Sequence, residues 1–507
     1  MSMVDKVVLV NTLEQGLDYL HIGAADQNLG LVTIVEALHT QGYRDVELFP
    51  NKPYEVTPNG IVEENSFRES LVRSVGDAKN VVFGVSTTTD EYYKFLFVTK
   101  VVRELFPNAT IVAGGPHFAR EVLIDSKGNR YKDPIEIALQ EQLADAVVVG
   151  HAQPFVDFVV KHDGKLSEVK SPGFYYMSEG KIRGRGKGKY PKVSQLPYVK
   201  PYNRLIRTLI HDGCANGCDY CSINKGSFNI APEIVISTLE RVIKEQEIRF
   251  LDLSDSNPFK PETFKFYQEI FGYLDGNDAT RTIKSSLIDP SLVVDPKQSE
   301  ELMMFLLRHL FLTCFFGREC ITGEVASKIG AKLRGKPKSQ EQLDKEREGL
   351  RDFISFISQF LEGIIKYETL RGSVCISYIF TPFETEQSVV DTIKEMEMFH
   401  KMSSTQLTVD PIFTVLSPYP GTRIRAKYID HIVDPEDFVK LGVRSNVWSY
   451  DLGASVVFLD EALDVLEKLR EDYSTSQMIK ELKLAAMRGF SGKVKKPKHR
   501  RERNFYL

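Results

Sequence analysis

The chain has 507 residues, 42% hydrophobic and 26% charged, enough for two or three domains with cores of their own and ordinary for a soluble globular protein. No apolar run reaches the roughly 18 residues a membrane-crossing helix needs, and MSMVDKVVLVNTLEQG lacks a basic stretch before a long apolar core, so a cytoplasmic location is expected. Six cysteines in a chain of this size exclude a disulfide scaffold; Cys214, Cys218 and Cys221 cluster, while Cys314, Cys320 and Cys375 are scattered in apolar stretches.

Residues 1–170 alternate short apolar runs with amphipathic stretches. Strands are read at Val7–Asn11, Asp45–Phe49, Val81–Ser86, Thr110–Ala113 and Ala146–Val149, and helices at Leu29–Gln41, Ser66–Val75 and Tyr92–Phe106. Strands apolar almost throughout are buried by helices on both faces. The pattern is a doubly wound, flavodoxin-like (Rossmann-like) α/β domain, whose ligand belongs over the carboxyl ends of the strands. Those ends read Ser86-Thr87-Thr88-Thr89-Asp90, Gly114-Gly115-Pro116-His117 and Gly150-His151-Ala152-Gln153. Small and hydroxylic residues let a bulky ligand reach the backbone, although tight turns alone would use the same residues.

Residues 171–200 are rich in Gly, Pro and Lys and read as a linker. A second series occupies 201–425, with strands at Leu205–Ile210, Ile248–Leu253, Thr282–Leu287, Leu312–Gly317, Val374–Phe380 and Leu407–Val415. Helices are read at Pro232–Glu245, Pro261–Tyr273, Gln298–Leu310, Gly323–Lys332 and Glu386–Met402, with a charged extra helix near Glu341–Tyr367. Six such repeats predict an open, partial (β/α)6 barrel. Residues 426–507 are mainly helical, notably Leu459–Leu484, and Trp448 reads as a packing residue. The tail Ser491–Arg503 carries +6 of a net −4, leaving the rest near −10. It reads as a solvated terminus, so no nucleic-acid partner is expected.

The segment Gly213-Cys214-Ala-Asn-Gly217-Cys218-Asp-Tyr220-Cys221 follows the first strand of the second series. Gly213 and Gly217 permit the tight backbone that brings three thiolates round one object. Structural zinc takes four protein ligands, and no fourth Cys or suitably spaced His follows. A four-iron cluster on three thiolates leaves one iron open for direct chelation.

This segment resembles the signature of the radical S-adenosylmethionine enzymes: three cysteines spaced CxxxCxxC after the first barrel strand, with an aromatic, here Tyr220, before the last. Further stretches are similar to the family's pattern. Phe250-Leu-Asp252-Leu-Ser254-Asp255-Ser-Asn257 stands at the second strand end, and Phe316-Gly317-Arg318-Glu319 at the fourth. Ile379-Phe-Thr381-Pro382-Phe383-Glu384-Thr385 matches "iGlPgET" except that Thr381 and Phe383 replace its glycines. Pro418-Tyr-Pro-Gly421-Thr422 matches "PyPGT". The resemblance implies a [4Fe-4S] cluster on Cys214, Cys218 and Cys221. It implies S-adenosylmethionine contacts at Tyr220, Ser254, Asp255, Glu319 and Pro382, and an external electron donor such as flavodoxin or ferredoxin. In the family, an electron from the cluster breaks a carbon–sulfur bond and releases a 5′-deoxyadenosyl radical.

The flavodoxin-like domain and its "GGPH" turn resemble the cobalamin-binding subgroup of that family, over about residues 1–425. This implies a corrin bracketed by Ser86, Thr87, Thr88, Gly114, Gly115, Pro116, His117 and Gly150. The subgroup's acidic "GEGE" is replaced by Gly150–Gln153. The Asp-x-His-x-x-Gly motif that gives cobalt a histidine is absent, so neither His117 nor His151 is assigned as a cobalt ligand. The implied activity is methylation of an unactivated carbon in a small-molecule, lipid or peptide substrate. The alternatives are a radical rearrangement, cyclisation or oxidation without net methyl transfer, and a non-catalytic corrinoid and iron–sulfur protein. Cys314 and Cys375 read as small core residues, and Cys320 lies at a strand end near the expected site.

Overall fold

The computed structural model describes residues 4–12, 28–49, 55–57, 60–62, 64–202, 205–214, 216–222, 228–246, 248, 250–255, 259, 263–275, 283–333, 335–364, 371–439, 447–452, 454–469 and 474–491. Asn257 and nearly all of the basic tail fall outside them.

The first sheet contains β1 (Lys6–Asn11), β2 (Val46–Phe49), β3 (Val81–Ser86), β4 (Thr110–Gly114), β5 (Ala146–Val148), β6 (Phe174–Ser178) and β7 (Lys181–Arg183). Their spatial order is β7-β6-β5-β4-β3-β1-β2. β2, β1, β3, β4 and β5 are mutually parallel, in the flavodoxin-like order 2-1-3-4-5. The register sets Val8 beside Phe83 and Phe83 beside Ile111, and all three are buried. Helices α1 (Leu29–Thr40), α2 (Glu64–Val75), α3 (Tyr92–Leu105), α4 (Pro134–Gln140) and α5 (Gln153–Val160) complete this half. Apolar side chains pack on both faces of the sheet, which is why its strands read as continuous hydrophobic runs.

The stretch read as a linker is largely structure. β6 pairs antiparallel with β5, and β7 with β6. Glu179 (φ 51°) and Gly180 (φ 70°) make the two-residue turn with both φ positive that matches strand twist in a hairpin. Beyond it, Gly188 bonds Val149 O at 2.7 Å and His151 N at 3.1 Å. A Cβ on Gly188 would meet His151 O at 2.1 Å, so only glycine lets the chain lie this close to the end of β5.

The second sheet runs β8 (Tyr198–Tyr202), β9 (Leu205–Thr208), β10 (Phe250–Leu253), β11 (Ile283–Ile288), β12 (Phe311–Glu319), β13 (Gly372–Phe380) and β14 (Leu407–Val415), in that spatial order. β8 is an antiparallel edge, and β9 to β14 are six consecutive parallel strands, as the repeats predict. The helices are α6 (Pro232–Gln246), α7 (Phe264–Asp275), α8 (Pro296–Arg308), α9 (Gly323–Ile329), α10 (Gln340–Ile364) and α11 (Glu386–His400). Short α12 (Arg423–Lys427) follows β14. The predicted helix Leu459–Leu484 is instead two, α13 (Ala454–Leu469) and α14 (Thr475–Phe490). Ser474 opens α14 with a capping box to Gln477, which starts a new helix rather than continuing the old one.

Candidate functional site: a cysteine loop facing a cavity

The cysteine loop leaves β9 and is tied down before its first thiol. Asp255 at the end of β10 accepts from Ile210 N (2.7 Å), His211 N (3.0 Å) and Tyr267 Oη (2.6 Å). Burial pushes its carboxyl up to about 7. His211, fully buried, bridges Asn229 Oδ1 at 2.6 Å and Gly213 O at 3.1 Å. Gly213 (φ 101°) and Gly217 (φ 63°) take the backbone geometry that the spacing of the thiols demands. Asn216 donates to Asp289 at 3.1 Å.

Between the second and third thiols, Asp219 is held on three sides. Its N–H donates to Gly330 O (3.0 Å), its carbonyl accepts from Ile424 N (2.9 Å), and its carboxylate pairs with Lys332 Nζ (2.6 Å). Cys218 Sγ accepts from Lys332 N at 3.3 Å. Burial, then the Glu319 carboxylate, push the Cys218 thiol up to about 12. Cys214, Cys218 and Cys221 are half-buried thiols outside any disulfide. Among the described residues no three Cys, His, Asp or Glu side chains gather as round one metal ion. A four-iron cluster asks instead for one thiolate per iron, and three half-buried thiols on a glycine-hinged loop suit it.

Across from this loop, a cavity of 470 Å³ lies over the carboxyl ends of β3, β4 and β5, where an open parallel sheet takes its ligand. Of the strand-end residues read from the sequence, Ser86, Thr88, Gly114, Gly115, Pro116 and Gly150 line it. Gly115 (φ 101°) is required there, because a Cβ would meet Thr87 O at 2.4 Å. Thr87 and His117 are not in the lining. Thr87 is buried, donating its N–H to Gly114 O (3.0 Å) and accepting from His117 N (3.3 Å). His117 is fully buried, stacked on Tyr92 at 4.4 Å between ring centroids and edge-on to Phe438 at 4.9 Å. Its Nδ1 meets Thr89 Oγ1 at 3.1 Å, its buried Nε2 has no partner among the described residues, and burial pushes its pKa down to about 3.

The expected S-adenosylmethionine contacts are scattered in their surroundings. Ser254 is exposed at the end of β10, while the adjacent Asp255 is taken up with the backbone before Cys214. Pro382 is buried, and its carbonyl accepts from Ser455 Oγ at 2.5 Å. Glu319 ends β12 with φ 64°, and its carboxylate faces Tyr220 and lies 3.5 Å from Lys338 Nζ.

Several lining residues escaped the sequence reading. Asn28 caps α1 through Gly30 N at 2.8 Å. Thr33, Lys187 and Tyr190 come from α1 and the supposed linker, and Asp212, Ser222, Pro420 and Gly421 from the second half. His151 Nε2 lies 3.7 Å from Asp212 Oδ2, joining the two halves at the cavity wall. The "PyPGT" segment is a second joint: Tyr419 Oη donates to Asp90 (2.8 Å), Gly421 N to Glu121 (2.8 Å) and Arg425 Nε to Glu121 (3.0 Å). Tyr419 lies in the motif and Arg425 just beyond it, but their partners some 300 residues away could not be read from the sequence.

No family model matches the sequence. The chain is 22% identical over 441 residues to an uncharacterised methyltransferase of Pyrococcus horikoshii, covering 83% of this chain and 82% of that one. Its fold is that of TsrM, a radical S-adenosylmethionine methyltransferase from Kitasatospora setae whose structure holds cobalamin and a [4Fe-4S] cluster. The TM-score is 0.58 at 14% identity, over 97% of this chain and 100% of that one. The cobalamin-dependent S-adenosylmethionine radical enzyme OxsB is also similar (TM-score 0.53, 14% identity), with 89% of this chain matching 57% of that one.

Proposed function

We propose that this chain is a cobalamin-dependent radical S-adenosylmethionine methyltransferase that methylates an unactivated carbon. One observation carries the reading: Asp212 and Ser222, which flank the cysteine triad, line the same cavity as Ser86, Gly114 and Gly150 at the ends of the first sheet. The two ends of the thiol loop thus meet the strand-end turns at one cavity, which supports a chamber shared by the two. The likeness in fold to TsrM and OxsB and the relative named as a methyltransferase point the same way.

In this reading Cys214, Cys218 and Cys221 would hold a [4Fe-4S] cluster beside a site for S-adenosylmethionine. Ser254, exposed at the end of β10, would meet the methionine end, and Tyr220, Glu319 and Pro382 would supply the remaining contacts. Ser86, Thr88, Gly114, Gly115, Pro116 and Gly150 hold the corrin through backbone groups and hydroxyls. The bound groups supply reductive cleavage of a carbon–sulfur bond and methyl carriage. The chain's share is positional. Asp255 and Asp219 fix the thiol loop, Gly115 leaves the strand end open to a bulky ligand, and the Glu121–Arg425 joint ties the second half to the first.

The test is anaerobic reconstitution of the full chain with iron, sulfide and cobalamin. We expect four irons per chain, a corrin spectrum that stays with the protein, and S-adenosylhomocysteine together with 5′-deoxyadenosine once a substrate is supplied. Formation of 5′-deoxyadenosine alone would shift the reading to rearrangement, cyclisation or oxidation. Cys218→Ala should lose both the cluster absorbance and cofactor cleavage; cleavage that survives overturns the proposal.

A further inference from the structure

Two stretches of the second half are strongly basic and carry no acid. Residues 328–338 hold five Lys or Arg, and residues 422–428 hold three, in a chain whose net charge is −4. The fold brings both to the middle of the thiol loop. Asp219, between the second and third thiols, donates its N–H to Gly330 O at 3.0 Å and accepts from Ile424 N at 2.9 Å. Its carboxylate is shared by Lys332 Nζ (2.6 Å) and Arg423 (3.4 Å). The contact is close: a Cβ on Gly330 would meet Asp219 Oδ2 at 2.2 Å. Lys332 N also reaches Cys218 Sγ at 3.3 Å.

Lys338 and Arg425 are buried in pairs of their own, with Glu346 at 3.2 Å and Glu121 at 3.0 Å. Others of these cations stay at the surface. Lys336 is exposed in the hairpin that pairs Lys332–Leu333 with Lys336–Pro337, as are Arg423 and Lys427 of α12. Lys328, in the last turn of α9, is 42% exposed. Lys427 Nζ donates to Lys328 O at 3.1 Å, which fixes α12 beside α9. Against them stand Asp219 within the loop and Glu324, which pairs with Lys328 at 2.7 Å. Asp430, just beyond α12, is taken up by Ser126 N of the first half at 2.8 Å. The face is therefore positive although the chain is negative. None of these cations lines the cavity, which the loop meets at its two ends, Asp212 and Ser222. A partner that reaches the loop at Asp219 need not enter the cavity.

We propose that this face, formed by Lys328, Lys336, Arg423 and Lys427 around Asp219, docks an acidic one-electron donor protein. The inference rests on the cluster reading above. One electron passes from the donor, which is oxidised by one, to the cluster, which is reduced by one; no bond forms or breaks in that step. Fixed positive charge beside the acceptor concentrates an anionic partner and raises its encounter rate by about 10–10³-fold at low salt. Four exposed cations round one loop suit a compact acidic patch rather than nucleic acid, whose binding draws on roughly 6–10 phosphate contacts along a backbone.

The experiment compares the reconstituted full chain with two double variants, Lys336→Glu with Lys427→Glu and Lys336→Arg with Lys427→Arg, which leave the residues holding Asp219 in place. Stopped-flow absorbance follows reduction of the cluster by reduced flavodoxin, an acidic protein donor, and separately by dithionite in high salt. The second-order rate with flavodoxin should fall about tenfold in the glutamate pair at low salt. The difference should close as salt rises, and the arginine pair should match wild type. Iron content and the dithionite rate should not change. Equal flavodoxin rates in the wild type and the glutamate pair, with iron retained, would overturn the proposal and leave the cluster reading intact. Loss of duplex RNA binding in the glutamate pair, with the flavodoxin rate unchanged, would give the face to a nucleic acid and overturn it too. Iron lost from the glutamate pair would make these cations merely structural and equally overturn it. A wild-type chain that holds no cluster would remove the underlying reading and this proposal with it.

Discussion

His117 shows how far a side chain can sit from the role its motif implies. It ends a Gly-Gly-Pro-His turn that borders the cavity, yet its ring is fully buried and stacked on Tyr92. An imidazole kept neutral there binds no proton until about pH 3, whereas the unfolded chain protonates near 6.5. Between those values the unfolded state holds more protons, so stability is full above 6.5 and falls as pH drops toward 3. By pH 5 the loss is about 2 kcal/mol, from ~1.4 kcal/mol per pH unit. His117→Phe should flatten this acid slope, seen as a smaller drop in melting temperature between pH 7.5 and 5. A second residue-scale expectation concerns Gly115. Alanine there meets Thr87 O at 2.4 Å with φ at 101°, so Gly115→Ala should cost on the order of 1–3 kcal/mol in a urea titration and weaken retention of a corrin. Spacing in the sequence found the thiols because their chemistry is local. It could not separate Thr88 in the lining from Thr87 beneath it, since which side a turn residue faces is decided by the neighbouring strand.

Among the elements, the parallel strands were legible because burial on both faces leaves an apolar run, and their observed ends fall close to the predicted ones. Two kinds of element were not. The seven-residue α4 is too short to show a period, although Asp133, Pro134 and Glu136 spell its capping box. The β6–β7 hairpin was hidden by its own turn chemistry, because Gly, Pro and Lys read as linker while Phe174 and Tyr175 were already strand core. Its turn also carries an avoidable cost. Glu179 sits at φ 51°, where a side chain other than Asn or Asp is disfavoured by about 1–2 kcal/mol. Its carboxylate pairs with Arg183 only at 3.4 Å on an exposed surface, which offsets little. Glu179→Asn should therefore raise stability by up to about 1 kcal/mol, read as a higher urea midpoint with an unchanged slope.

Across the whole molecule, the candidate site exists only because residues of the two halves meet at one cavity. The segment from Tyr419 to Arg425 reaches from the end of β14 to the first half through Asp90 and Glu121, while Ile424 N holds the carbonyl of Asp219 in the thiol loop. One short stretch thus ties the thiol loop to the first half. Its centre is the Arg425–Glu121 pair, with side chains 0% and 8% exposed, and Arg425 also lies 5.4 Å over the ring of Phe438. Removing one member of such a pair strands a buried charge, a loss of about 3–5 kcal/mol, whereas replacing both with apolar groups of similar size is far milder. Glu121→Ala should therefore lower the urea midpoint sharply and separate unfolding of the two halves into distinct transitions. Glu121→Leu combined with Arg425→Met should recover most of the midpoint and a single transition, because the packing against Phe438 is kept. Equal damage in the single and double variants would mean that the charges themselves, rather than the filled joint, hold the two sheets together.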